Sequence, residues 1–169
     1  GVSSAASDVY KRQDSMSVLD KDGISAAVRI CEMFAWLKRE GRSAESVLAE
    51  IAAEYGLHQT DQLSVRMSDL SAIPAAVAKL RANPPATVGG MKVNEVVDLA
   101  NGWNGLPPTD GILLMLEAGQ VIARPSGTEP KLKCYLEVVV AAPEYASAKA
   151  TALSTLAEMK KDMAAALGV

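Results

Sequence analysis

From Leu132 to Val140 every second residue is apolar (Leu132, Cys134, Leu136, Val138 and Val140), while Lys131, Lys133, Tyr135 and Glu137 take positions of the opposite parity. A period of two is the signature of a strand with one dry face and one wet one. A chain carrying such a strand must build a sheet covered on one side only. Gln62 to Met67 repeats the pattern, Leu63, Val65 and Met67 alternating with Gln62, Ser64 and Arg66. Met91–Leu99, Ile112–Leu116 and Val121–Arg124 read as further strands, the last two joined through Glu117-Ala118-Gly119-Gln120 as a hairpin.

Between and around these strands the period changes to that of helices. Ile24, Ala27, Val28, Cys31, Phe34, Ala35 and Leu37 recur at three and four, with Asp22 as N-cap and Gly41 as stop, and predict a well-buried amphipathic helix. A second runs from a Ser43 cap through Val47, Leu48, Ile51, Ala52 and Tyr55 to Gly56. A third spans about Leu70 to Ala82, with Pro74 in its first turn and Ile73, Val77 and Leu80 on one side. Asn101 to Pro108 is a loop, and Pro143 opens a long Ala-rich helix bearing Tyr145, Ala152, Leu156, Met159, Met163 and Leu167. Strands that neighbour in sequence through short links predict an α+β fold: a small, mainly antiparallel sheet with helices on one side.

Composition narrows the partners. The 169 residues carry 17 Lys+Arg against 20 Asp+Glu, a net charge of -3, and only two Trp, four Tyr and one Phe. A nucleic-acid surface shows a basic face with stacking rings, so none is expected. The longest uncharged apolar stretch, Gly111 to Leu116, is strand-sized, far below the roughly 20 residues that cross a bilayer, and no membrane span is expected. Cys31 and Cys134 have no metal-ligand or redox spacing; they read as buried hydrophobes in a reducing, cytoplasmic compartment. The single His58 reads as a partly exposed imidazole. No metal site is expected in this chain.

Arg124-Pro125-Ser126-Gly127-Thr128-Glu129-Pro130-Lys131-Leu132-Lys133, between two expected strands, carries the chemistry. Arg124 offers a planar fork for phosphate, and Ser126 and Thr128 offer hydroxyls. Gly127 permits a positive-φ turn that aims successive backbone N–H groups into one concavity. Three or four charge-assisted bonds at ~1.5–3 kcal/mol each would hold a phosphate without a metal. The alternative is a polar hairpin turn with solubilising lysines.

This segment, continued by Cys134-Tyr135-Leu136-Glu137-Val138, resembles the C-terminal phosphate-binding signature of the α-D-phosphohexomutase superfamily, the phosphoglucomutases and phosphomannomutases. Asp20-Lys21-Asp22-Gly23-Ile24-Ser25-Ala26-Ala27 and Leu106-Pro107-Pro108-Thr109-Asp110-Gly111 are similar to its phosphopentomutase-like bacterial branch. The resemblance implies the last part of a four-domain isomerase, an intramolecular phosphotransferase of carbohydrate metabolism. Residues 14–56 would be the helical end of an α/β third domain. Residues 57–169 would be a fourth domain similar to the TATA-binding-protein fold. In that family a phosphoserine gives its phosphoryl group to a sugar phosphate, and a sugar bisphosphate intermediate returns the other phosphate. The fourth domain clamps the phosphate that is not reacting. Carried over, Arg124, Ser126, Gly127 and Thr128 match the clamp, and Lys133 matches a basic position often held by Arg.

The family's Ser-His-Asn-Pro-type serine loop, its Asp-x-Asp-x-Asp Mg²⁺ loop and its sugar-selecting loop have no counterpart in these residues. Asp20-Lys21-Asp22-Gly23 is no Ca²⁺ loop, since Val18 and Arg29 would fall at ligand positions. The expectation is therefore a chain inactive alone, with Mg²⁺ and upstream domains as partners in a longer protein and a phosphosugar as substrate. A free-standing phosphate-binding or interaction module is the alternative. Gly1 to Gln13 shows no periodicity, and Asp8 to Gln13 resembles a translated transposon-end adaptor, so 1–13 is expected to be a non-native or disordered leader.

Overall fold

The computed structural model describes residues 22–67, 69, 71–126 and 129–169. The expected leader, 1–13, lies outside them, as do Gly127 and Thr128. Contacts divide the chain into two compact units, Gly1–Glu50 and Ile51–Val169.

In the first unit Asp22 caps α1 (Gly23–Arg39), its carboxylate accepting the N–H groups of Ile24 at 3.0 Å and Ser25 at 3.1 Å. Those two donors hold the Asp22 carboxyl below its ordinary value. At the other end Gly41 takes φ +68°, and the Arg42 N–H reaches the Leu37 carbonyl at 2.9 Å. The expected stripe is present as periodicity but is not buried. Ile24 is 79% exposed, Phe34 50% and Trp36 46%, and Leu37 is the buried residue of the helix. Spacing decides which residues share a face; only another element decides whether that face is covered. Cys31, expected to be buried, is exposed for the same reason. The next helix, α2 (Ala44–Tyr55), starts on a reciprocal pair: the Ser46 N–H donates to Ser43 Oγ and the Ser43 N–H to Ser46 Oγ, both at 3.0 Å.

The second unit is one six-stranded antiparallel sheet in the order β1-β6-β5-β4-β3-β2. Its strands are β1 (Leu57–Arg66), β2 (Thr87–Val88), β3 (Met91–Asp98), β4 (Ile112–Leu116), β5 (Gly119–Pro125) and β6 (Lys131–Val140). β6 occupies the residues its alternation predicts. β1 begins five residues earlier than its side-chain pattern shows, because a backbone ladder with β6 extends from Arg66↔Lys131 back to Leu57↔Val140. The two-residue β2 is too short to carry a period. It is held by a Gly89-Gly90 turn with φ +59° and +75°.

Helices α3 (Ala72–Ala82) and α4 (Tyr145–Leu167) pack on the apolar face of the sheet. α3 contributes Ile73, Ala76, Val77 and Leu80. α4 contributes Ala148, Ala152, Leu156, Met159, Met163 and Leu167, spaced at three and four. They meet Ile112, Leu114 and Leu116 of β4, Val121 and Ala123 of β5, and Leu132, Cys134, Leu136 and Val138 of β6. Burying each large aliphatic chain contributes ~1.5–3 kcal/mol. The β2–β3 turn also touches α4: a Cβ at Gly89 would collide with Met159 Cγ, and the Gly89 N–H donates to Asp162 Oδ2 at 2.8 Å. The fold is thus the α+β arrangement expected, with the polar side-chain set of β1, β5 and β6 facing away from the helices.

Candidate functional site

Ser126, Glu129 and Pro130, the described residues of the β5–β6 connection, sit at the end of this outward-facing polar surface. Ser126 donates its N–H to the Lys131 carbonyl at 2.9 Å, closing the hairpin, and Met67 N–H donates to the Pro130 carbonyl at 3.1 Å, tying the loop to the end of β1. The Ser126 N–H is therefore committed to the hairpin and is not among the donors a concavity could use. Ser126 is half-buried. Gly127 and Thr128 lie outside the described residues.

Arg124 and Lys133 are directly opposite each other across β5 and β6. The pleat sends both away from the core, since their neighbours Ala123, Leu132 and Cys134 are buried. Among the described residues neither cation has a carboxylate within 4.0 Å. Like charges directly opposite each other in a sheet destabilise it, so an unneutralised pair is an arrangement that an anion relieves. Two further cations stand one row nearer the loop, Arg66 opposite Lys131. These share Glu129, whose Oε2 is 2.6 Å from Lys131 Nζ and whose Oε1 is 3.6 Å from Arg66 Nη2. Hydrogen bonding from Lys131, with the charges of Lys131, Arg66 and Lys133, holds the Glu129 carboxyl below its ordinary range.

Tyr135 follows Lys133 on the same face, and the Arg124 guanidinium carbon lies 5.6 Å from its ring centroid. Hydrogen bonding from Arg124, aided by the charges of Arg124 and Lys133 and opposed by burial, keeps the phenol below its usual value. One further row along, Glu137 accepts from Gln120 Nε2 at 2.7 Å and lies 3.1 Å from Nδ1 of His58, which is 54% exposed, as expected of this imidazole. A shallow cavity of about 520 Å³ runs over this surface, lined by Thr60, Gln62, Gln120, Ile122, Tyr135 and Glu137 among others. Among the described residues no group of three His, Cys, Asp or Glu could hold a metal ion, and no helix is long and apolar enough to cross a membrane.

The structure thus brings Arg124, Lys133 and Ser126 to one end of one sheet face. Arg66 was missed by sequence reasoning. The alternation of Gln62–Met67 placed it on the polar side of its strand, but nothing local said that this strand would pair with β6.

A family model described as "Phosphoglucomutase/phosphomannomutase, C-terminal domain" matches residues 63–152. A probable phosphomannomutase of Haemophilus influenzae is 41% identical over 125 residues, covering 73% of this chain and 25% of that protein. A phosphoglucomutase of Staphylococcus haemolyticus is 34% identical over 137 residues, with the same coverage of each, 73% and 25%. A human phosphopentomutase is 32% identical over 138 residues, covering 72% and 22%. The chain spans about a quarter of the length of the curated relatives it matches. In fold it is similar to the exocytosis-sensitive phosphoprotein parafusin of Paramecium, a phosphoglucomutase solved in its open form. That likeness has TM-score 0.57 and 17% identity, and covers 89% of this chain and 28% of that one. The matched residues run from the second half of β1 through the whole of β6, so the strands that carry Arg124 and Lys133 fall inside a known domain: this chain belongs to the phosphoglucomutase/phosphomannomutase family and contains its C-terminal domain.

Proposed function

We propose that this chain supplies the phosphate-clamping domain of a phosphosugar mutase, an enzyme that interconverts hexose or pentose 1-phosphate with the 6- or 5-phosphate. The observation that carries the proposal is the Arg124–Lys133 pair, in register across β5 and β6 beside Ser126, with no carboxylate within 4.0 Å among the described residues. A phosphate dianion neutralises two cations. The Arg fork takes two oxygens in a plane, and the Lys ammonium supplies a point charge to a third. Ser126, Gly127 and Thr128 complete the grip from the loop.

The clamp breaks no bond. It fixes the phosphate that is not reacting and so converts an encounter into a positioned reaction. A site that reads the phosphoryl group rather than the sugar also suits a bisphosphate intermediate, which presents first one phosphate and then the other. Residues 14–56 would belong to the preceding domain of the same protein and 57–169 to the clamp domain. Mg²⁺ and the phosphorylated serine would be held by domains beyond these residues, and no step is drawn through a metal. The two free thiols fit a reducing cytoplasm.

Steady-state kinetics of the whole protein with glucose 1-phosphate, mannose 1-phosphate and ribose 1-phosphate test this. Arg124→Ala is expected to lower kcat/KM about tenfold to a hundredfold, the equivalent of one lost charge-assisted contact. Wild-type kinetics in that variant would remove Arg124 from the site. Saturable phosphate binding by a whole protein that turns over none of the three sugars would favour a binding module instead.

A further inference from the structure

We propose that Tyr135 is the positioning residue of the anion site, setting the Arg124 guanidinium beside Lys133 while leaving both cations unneutralised. This rests on the reading of Arg124 and Lys133 as a phosphate clamp.

An exposed arginine at a strand end has several rotatable bonds and loses affinity for every conformer it must give up. The usual device for fixing it is a carboxylate partner, but a carboxylate also cancels the charge the ligand needs. Among the described residues the carboxylates near this face make their contacts elsewhere: Glu129 with Lys131 and Arg66, sensing Lys133 through charge alone, and Glu137 with Gln120 and His58. What lies against Arg124 instead is an aromatic ring.

Tyr135 stands opposite Ile122 in the β5–β6 ladder and diagonal to Arg124, with the guanidinium carbon 5.6 Å from the ring centroid. A ring quadrupole attracts a cation without discharging it. The phenol oxygen feels both cations, Arg124 first through its hydrogen bonding, then both through their charges. A protonated phenol carries no charge, so a ring in this place, unlike a carboxylate, leaves the positive potential over Arg124 and Lys133 in place. A phosphate dianion arriving between the two cations takes over the guanidinium and adds negative charge beside the phenol. Both effects push the phenol's ionisation back up, which couples ligand binding to a spectroscopic signal on a residue that need not touch the ligand.

The experiment is inorganic phosphate binding to the 169-residue chain by calorimetry, with tyrosinate absorbance titrated between about pH 8 and 12 with and without phosphate. Tyr135→Phe keeps the ring and loses the hydroxyl; it is expected to weaken binding about threefold and to abolish the phosphate-sensitive part of the tyrosinate signal. Tyr135→Leu loses both and is expected to weaken binding about tenfold or more. In the wild type, phosphate is expected to move one phenol upward. Equal affinity within about twofold in all three proteins, or a tyrosinate titration that phosphate leaves unmoved, overturns the role of Tyr135 provided Arg124→Ala abolishes binding. If the wild type shows no saturable phosphate binding, or Arg124→Ala binds as well as wild type, the clamp reading fails and the role of Tyr135 with it.

Discussion

Cys134 lies in β6 with its side chain in the apolar layer, and burial pushes its thiol up to about 12. Cys31 lies on α1 and is exposed. The thiolate is the reactive form, so burial protects Cys134 twice, by opposing its ionisation and by closing access to it. With a chromogenic disulfide at pH 8, one thiol per chain is expected to react quickly in the native protein and two in denaturant. Two fast thiols under native conditions would mean that β6 does not hold its face against the helices. The contrast was only half legible in sequence. Cys134 falls in a strict alternation that reports its burial directly, whereas Cys31 falls on a helical stripe whose cover no local pattern reveals. The site divides the same way. Arg124, Ser126 and Lys133 announce themselves by residue type around a turn, and Tyr135 by its place on the wet side of β6. Arg66 joins them only through the β1–β6 register, which depends on residues about 65 to 83 positions apart in the chain.

At the scale of elements, β5 and β6 are read from sequence because one dry face imposes the period, whereas β4 shows as an unbroken apolar run, with Ile112, Leu113 and Leu114 all buried. The first half of β1, Leu57–Asp61, is held by a backbone ladder to β6 that leaves no period in its side chains, and β2 is two residues long. One cross-link between elements was invisible to periodicity altogether. Arg81 of α3 reaches Asp98 Oδ2 through Nε at 2.8 Å and Asp110 Oδ1 through Nη2 at 3.2 Å, while Asp98 accepts the Ala100 N–H at 3.1 Å. The clip fastens a helix, the end of β3 and the loop leading to Gly111, where a Cβ would lie 3.1 Å from that of Arg124. Arg81, followed by the Ala100 N–H, holds the Asp98 carboxyl below its ordinary value. A depressed carboxyl stabilises the fold above its unfolded pKa, near 3.8, and that contribution is lost as pH falls through the lower native value. Thermal midpoints followed from about pH 7 to pH 2 are therefore expected to fall less steeply below about pH 4 in Asp98→Asn than in the wild type. Asp61, Asp69 and Glu129 are depressed in both proteins, so the difference between the two curves isolates the clip. Superimposable curves would show that the clip contributes nothing to stability.

For the molecule as a whole, the strand order sets the order in which the second unit can form. β3, β4, β5 and β6 follow one another as neighbours in both sequence and space, so each pairing closes a short loop. β1 pairs with β6, Leu57 with Val140, and must wait for the rest. Pulse-labelled hydrogen exchange during refolding is expected to protect the amides of β4 and β5 before those of β1; simultaneous or earlier protection of β1 would refute that sequence of events. The tie from Met67 N–H to Pro130 is part of the same late closure. During synthesis, Arg66 leaves the ribosome well ahead of Lys131, the residue it will stand beside. A half-made chain therefore has a cation with no cluster to join until β6 has emerged.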